Sequence, residues 1–174
     1  MAGARNGNWI PAVGDSDAHS EPQVIGLPHN VVLSDGLSTD AVLDGIRSGR
    51  TWIAESSAVN LSFSATSGGR TAGISERLAV GEQAPVDVTL EVSGVPNGVV
   101  RIISDEGHVL QTLLDASGAG TITYRTTPSL AAYVRAEVRH LRPDGTPGNG
   151  NGMGPDLQLG PMAALTNPIF LGRG

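Results

Sequence analysis

Between residues 59 and 138 apolar and polar residues change places with a period of two, and this rhythm constrains the fold more than any other feature of the chain. Val86, Val88, Leu90 and Val92 alternate with Asp87, Thr89, Glu91 and Ser93. Successive side chains of an extended strand point to opposite faces, so this spacing lays all four apolar residues on one face. A slip of one residue would expose them together, at about 1.5–3 kcal/mol each, and the register is therefore strongly specified. Val59, Leu61, Phe63 and Ala65 follow the same rule, as do Ile122 with Tyr124 and Val134 with Ala136 and Val138. Residues 99–104 and 108–114 read as a hairpin closed through Asp105-Glu106-Gly107. About six or seven such strands without a helical period predict a mainly β chain, an antiparallel β-sandwich of immunoglobulin-like size over residues 58–174. A final strand within residues 162–171 is expected to close it, after a flexible loop at 143–156 (PDGTPGNGNGMGPD) that has no periodicity.

Residues 1–57 have a different texture. Trp9 to Gly14 is a short apolar run that reads as a buried strand entering the loop 15–22. A second run, Val31-Val32-Leu33, leads to Ser38, a good N-cap, with Asp40 in the first turn where the helix dipole favours negative charge. Val42, Leu43 and Ile46 then share one helical face, and Gly49 is placed to end the helix. Residues 50–54 read as another strand. Strand, helix and strand joined by short links predict a parallel βαβ unit.

Composition removes whole reaction classes. All 11 basic residues are Arg, so there is neither a phosphate-loop lysine nor a Schiff-base lysine. The absence of Cys excludes disulfides, thiolate metal sites and thiol nucleophiles. With 17 acidic residues and a net charge of −6, a broad electropositive surface for nucleic acid or anionic membrane is not expected. A soluble chain without a signal peptide is expected, from residues that suit an exported protein as well as an internal one. The 174 residues are too few for a complete (β/α)₈ barrel of about 250.

The constellation with chemical potential is Asp15-Ser16-Asp17-Ala18-His19. In an extended loop Asp17 and His19 point the same way, so both can reach one divalent ion such as Zn²⁺, Mn²⁺ or Fe²⁺ at about 2.0–2.2 Å. Asp15 and Glu21 share that parity and can orient the ligands from behind, and His29 lies at the same end of the sheet. The plainer alternative is a polar turn bonding its own backbone. A third reading takes Gly14 to Ala18 as an approximate nucleophile elbow around Ser16, but Glu21-Pro22 interrupts the helix it requires. His108 and His140 are expected to be solvated, and Trp9 and Trp52 to pack.

Residues 13–19 (VGDSDAH), 25–32 (IGLPHNVV), 40–47 and 49–53 (GRTWI), together with 164–171 (ALTNPIFL), resemble the C-terminal portion of the polymerase and histidinol phosphatase (PHP) superfamily. They are most similar to the actinobacterial CehA/McbA branch of metallohydrolases. The resemblance implies a distorted barrel carrying divalent metals that activate water to hydrolyse phosphoesters or carbamate-like bonds. Residues 1–57 would be an incomplete barrel remnant, and Asp17 and His19 would match the last Asp-x-His metal ligands. The family's upstream His-x-His and acidic ligands have no counterpart here. A stable site needs about three or four protein donors, so the chain alone is expected to bind metal weakly or not at all and to turn over little. Complementation by an N-terminal barrel segment is then expected. The alternative is a non-catalytic β-sandwich binding or assembly module, and for it self-association of the N-terminal segment, or packing on a partner, through an unpaired strand edge is expected.

Overall fold

A computed structural model describes residues 9–142 and 159–172; the stretch 143–156 lies outside them. The alternating segments become strands with the expected faces. In β6 (Val86–Ser93) Val86, Val88 and Leu90 are fully buried, while Asp87 and Glu91 face solvent. β6 pairs antiparallel with β3 (Asn60–Ser67) on one side and β9 (Gly120–Thr126) on the other, so Leu90 lies between Phe63 and Ile122. β4 (Arg70–Gly73) completes this four-stranded sheet in the order β4-β3-β6-β9.

The second sheet is built on β10 (Tyr133–Leu141), which carries β7 (Val99–Ser104) on one edge, with β8 (Gly107–Leu113) beyond it. The other edge of β10 is shared by β11 (Leu159–Thr166) and β12 (Ile169–Leu171). The single closing strand expected from the sequence is thus two, interrupted at Asn167-Pro168. Proline has no N–H to continue a ladder, and the Thr166 hydroxyl accepts from the Ala136 N–H at 2.8 Å beside the break. β12 also pairs in parallel with β5 (Arg77–Leu78), a short strand with too few residues to show an alternation. Trp52, Ala54, Val100, Ile102, Val134, Ala136 and Val138 from this sheet form one core with Phe63, Ala65, Val86, Val88 and Leu90 from the other. The chain is mainly β, an antiparallel sandwich. No helix among the described residues is long and apolar enough to cross a membrane.

The first segment folds as β1 (His29–Val32), α1 (Thr39–Arg47) and β2 (Thr51–Ala54). The Ser38 hydroxyl accepts the Ala41 N–H at 3.2 Å, Asp40 and Arg47 complement the dipole, and Gly49 at φ +72° ends the helix. The two strands are antiparallel, with His29 opposite Ala54 and Val32 opposite Thr51, which corrects the expected parallel unit. The reason lies in where the helix returns. The Leu33 N–H donates to the Arg50 carbonyl at 2.8 Å and the Arg50 N–H to Gly45 at 3.0 Å, so the excursion leaves and re-enters at the same end of the sheet. A parallel return would have to travel back along the strand first. Gly45 permits the fold-back, because a Cβ there would stand 2.7 Å from Val32 Cγ1 and 2.8 Å from the Leu33 carbonyl oxygen. β2 then pairs antiparallel with β11, Ile53 opposite Leu165, so residues on both sides of position 57 share one sheet.

Candidate functional site

The Asp-x-His loop hangs from residues 9–14, which form no strand although their apolar run suggested one. Side-chain amides replace the missing ladder. The Ala12 N–H donates to Asn167 Oδ1 at 2.8 Å, and Asn167 Nδ2 donates to the Ala12 carbonyl at 3.1 Å. Two residues on, the Gly14 N–H donates to Asn30 Oδ1 at 2.8 Å and Asn30 Nδ2 returns to the Gly14 carbonyl at 2.9 Å. Trp9 anchors the start of the segment, its ring centroid 6.0 Å from that of Tyr133 and 5.9 Å from that of Phe170. Trp52 is buried in the core, so both tryptophans pack, but on the sandwich, where packing within a barrel segment was expected.

Beyond Gly14 the chain turns through Asp17, whose φ is +48°, a conformation that Asp tolerates better than most residues. His19 Nδ1 lies 2.6 Å from the Asp17 carbonyl oxygen. A carbonyl can only accept, so Nδ1 is the donor, and in the neutral ring the lone pair is then on Nε2. Gln23 Oε1 holds the turn by accepting the His19 N–H at 2.6 Å and the Ser20 N–H at 3.0 Å. The Asp17 carboxylate is 3.7 Å from the His19 ring, and the two side chains are 89% and 77% exposed.

Nδ1 bonded to a carbonyl leaves Nε2 to meet a ligand, while the Asp17 carboxylate stands on the Nδ1 side of the ring, so the pair offers one nitrogen and one carboxylate. It is two donors only. Among the described residues no three His, Cys, Asp or Glu side chains gather closely enough to hold an ion. Asp15 and Glu21 are exposed in the loop, and His29 opens β1 opposite Ala54; none of the three joins Asp17 and His19 in such a group. Ser16 has no strand before it and no helix after it, so the elbow geometry is absent.

Two polar groupings were not legible. His140, expected to be solvated, places Nε2 2.5 Å from Glu55 Oε1, with 36% of its side chain exposed. Glu137, on the outward parity of β10, is 5% exposed, because the Arg139 guanidinium bonds it and Arg101 Nη1 stands 3.7 Å away. Alternation assigns a side chain to a face, whereas Arg101 is brought beside Glu137 by β7, and Glu55 beside His140 by the pairing of β2 with β11. A cleft of about 400 Å³ opens between β1 and the other sheet, floored by Trp52, Leu61 and Phe63 and edged by Val31, Leu33 and Arg50. Arg50 is held by Asp35 through bonds of 2.9 and 3.1 Å, which keep the Asp35 carboxyl below the usual carboxylate range. Comparison with protein-family models, curated proteins and solved structures gave no match.

Proposed function

We propose that this chain is the C-terminal part of a metal-dependent hydrolase of the PHP type, acting on phosphoesters, and that it contributes Asp17 and His19 to a site completed by other residues. The observation that carries the reading is the contact of His19 Nδ1 with the Asp17 carbonyl, which leaves Nε2 open, with the Asp17 carboxylate on the same turn 3.7 Å from Nδ1. In such a site a bound divalent ion supplies an activated water at neutral pH and stabilises charge on the attacked group. Within this chain Asp17 supplies a carboxylate, His19 an imidazole nitrogen, and Asn30 and Asn167 fix the root of the loop that presents them. Two donors do not make a stable site, so the chain alone binds Zn²⁺ or Mn²⁺ weakly and does not hydrolyse nitrophenyl phosphate.

Calorimetric titration and a turnover assay, each with and without an upstream segment bearing His-x-His, test this. Binding and turnover are expected only with both pieces, and Asp17→Asn or His19→Ala should abolish them. Tight stoichiometric binding by this chain alone, or full turnover in those variants, would overturn the reading. A non-catalytic assembly module is the second reading, favoured by the apolar side chains left in water in the first segment, Ile25, Leu33 and Leu37 at 86%, 65% and 107% exposure.

A further inference from the structure

β1 ends its sheet. It pairs with β2 on one side and with nothing among the described residues on the other. The Leu33 N–H donates to the Arg50 carbonyl just before β2, which sets the phase of the ladder, so residues 29 and 31 are the ones that exchange backbone bonds with β2. The N–H and C=O groups of Asn30 and Val32 therefore point outward along the free edge. Natural edge strands are commonly protected by lysine, proline or a bulge. This one has none within residues 29–35, and the chain has no lysine.

The sequence of that edge, together with the three residues that follow β1, Leu33-Ser34-Asp35, is complementary to itself. Residues 29–35 read His-Asn-Val-Val-Leu-Ser-Asp. Set antiparallel against a second copy with Val32 at the centre, Val32 meets Val32, Asn30 meets Ser34, Val31 meets Leu33 and His29 meets Asp35. This register puts Val32 and Asn30, whose backbone groups face outward, at the bonded pairs. It also puts Val31 against Leu33 at a non-bonded pair, where side chains approach most closely. Those two side chains are 36% and 65% exposed and edge the 400 Å³ cleft floored by Trp52. The imidazole of one copy falls opposite a carboxylate of the other, and Asp35 is 80% exposed and held in place by Arg50. A shift of the centre by one residue would set inward-bonded groups against the edge and lose the charge match.

We infer that two copies of this chain pair antiparallel through β1 about a two-fold axis at Val32, joining their sheets into one and covering the mouth of the cleft with Val31 and Leu33 of the other copy. The pairing uses nothing from the Asp17–His19 loop, so a failure of the metal reading leaves it intact. An isologous contact of this kind closes on itself as a dimer.

Sedimentation equilibrium of the chain, combined with amide hydrogen exchange at several protein concentrations, tests it. A monomer–dimer equilibrium is expected, with exchange at the Asn30 and Val32 amides slowing as the dimer forms. Leu33→Lys, at an exposed position of the monomer, should weaken the dimer by about tenfold or more. Because the chain has no Cys, Val32→Cys reports register directly. Paired Cα atoms about 5.5 Å apart lie within disulfide reach, whereas a Val31→Cys pair would be diagonal at about 7–8 Å and should not cross-link. A monomer at every concentration, a dimer indifferent to Leu33→Lys, or Asn30 and Val32 amides unprotected in the dimer would each overturn the inference. Cross-linking at position 31 in preference to 32 would overturn the register. Protection of those amides without dependence on concentration would assign the edge to another segment and overturn the two-copy pairing.

Discussion

Asn167 is 1% exposed and binds backbone on two sides, reaching Ala12 with both ends of its amide and Thr51 with Nδ2, at 2.8 Å to the hydroxyl and 3.2 Å to the carbonyl. Asn167→Ala leaves the Ala12 N–H and the Thr51 hydroxyl without these bonds in a buried place. The expected cost is about 2–4 kcal/mol, read by urea denaturation, with faster exchange of the Ala12 amide. Such a role could not be read from Asn167-Pro168, since the partner sits 155 positions away and an isolated Asn signals only a turn. Asp87 shows a different residue-scale effect. Arg125 bonds its carboxylate at 2.7 and 3.0 Å and holds the carboxyl below the usual range. A lowered folded-state value means that the contribution is fully present above about pH 4 and is lost as pH falls through the folded value. Asp87→Asn should therefore lower Tm at pH 6, and the gap from the unaltered chain should close as the pH approaches 2. A gap that stays constant across that range would show that the ion pair is not the cause.

At the scale of elements the sequence was most informative where one face decides. β6 and β3 follow from alternation because burial of a single face fixes register, the β7–β8 hairpin follows from the Asp105-Glu106-Gly107 turn signal, and α1 follows from Ser38, Asp40 and Gly49 because its ends are local chemistry. The direction of β2 relative to β1 was not legible. It depends on the contact of Gly45 with Val32 and Leu33, which no periodicity encodes. This contact yields a prediction of unusual sign. Gly to Ala inside a helix ordinarily stabilises by about 1 kcal/mol. Gly45→Ala should instead destabilise by about 1–2 kcal/mol, because a methyl there meets the Leu33 carbonyl and the gain in propensity does not offset the overpacking. Thermal unfolding of the single variant checks it; a rise in Tm would mean that the helix can move away from β1. The candidate site divides in the same manner. The spacing of Asp17 and His19 was legible but the turn between them was not, since Asp17 has φ +48° where an extended loop was expected, and the Asn30 and Asn167 clasps that root the loop substitute side-chain amides for a ladder that the apolar run 9–14 seemed to promise.

Across the whole molecule the sandwich was legible and its closure was not. β2 takes its second neighbour from β11, and β5 pairs with β12, so elements from the first half of the chain are completed by the last strands. Such distant pairings pay their loop entropy before any contact rewards it. The consequence appears during synthesis. While the ribosome is still making β10, Trp52 and Ala54 have been in the open for some eighty residues' worth of elongation, about 4–16 s at typical rates. β3 and β6 are by then free to pair. Stalled chains that stop before Leu159 should protect β6 from protease yet leave the segment around β2 open to it, and chains released after Leu171 should protect both. If the shorter chains already shield β2, then β1 and α1 suffice to hold it. The last strand is in this sense a lock added from the ribosome's side, and the interval before it arrives is when the chain has most need of a chaperone.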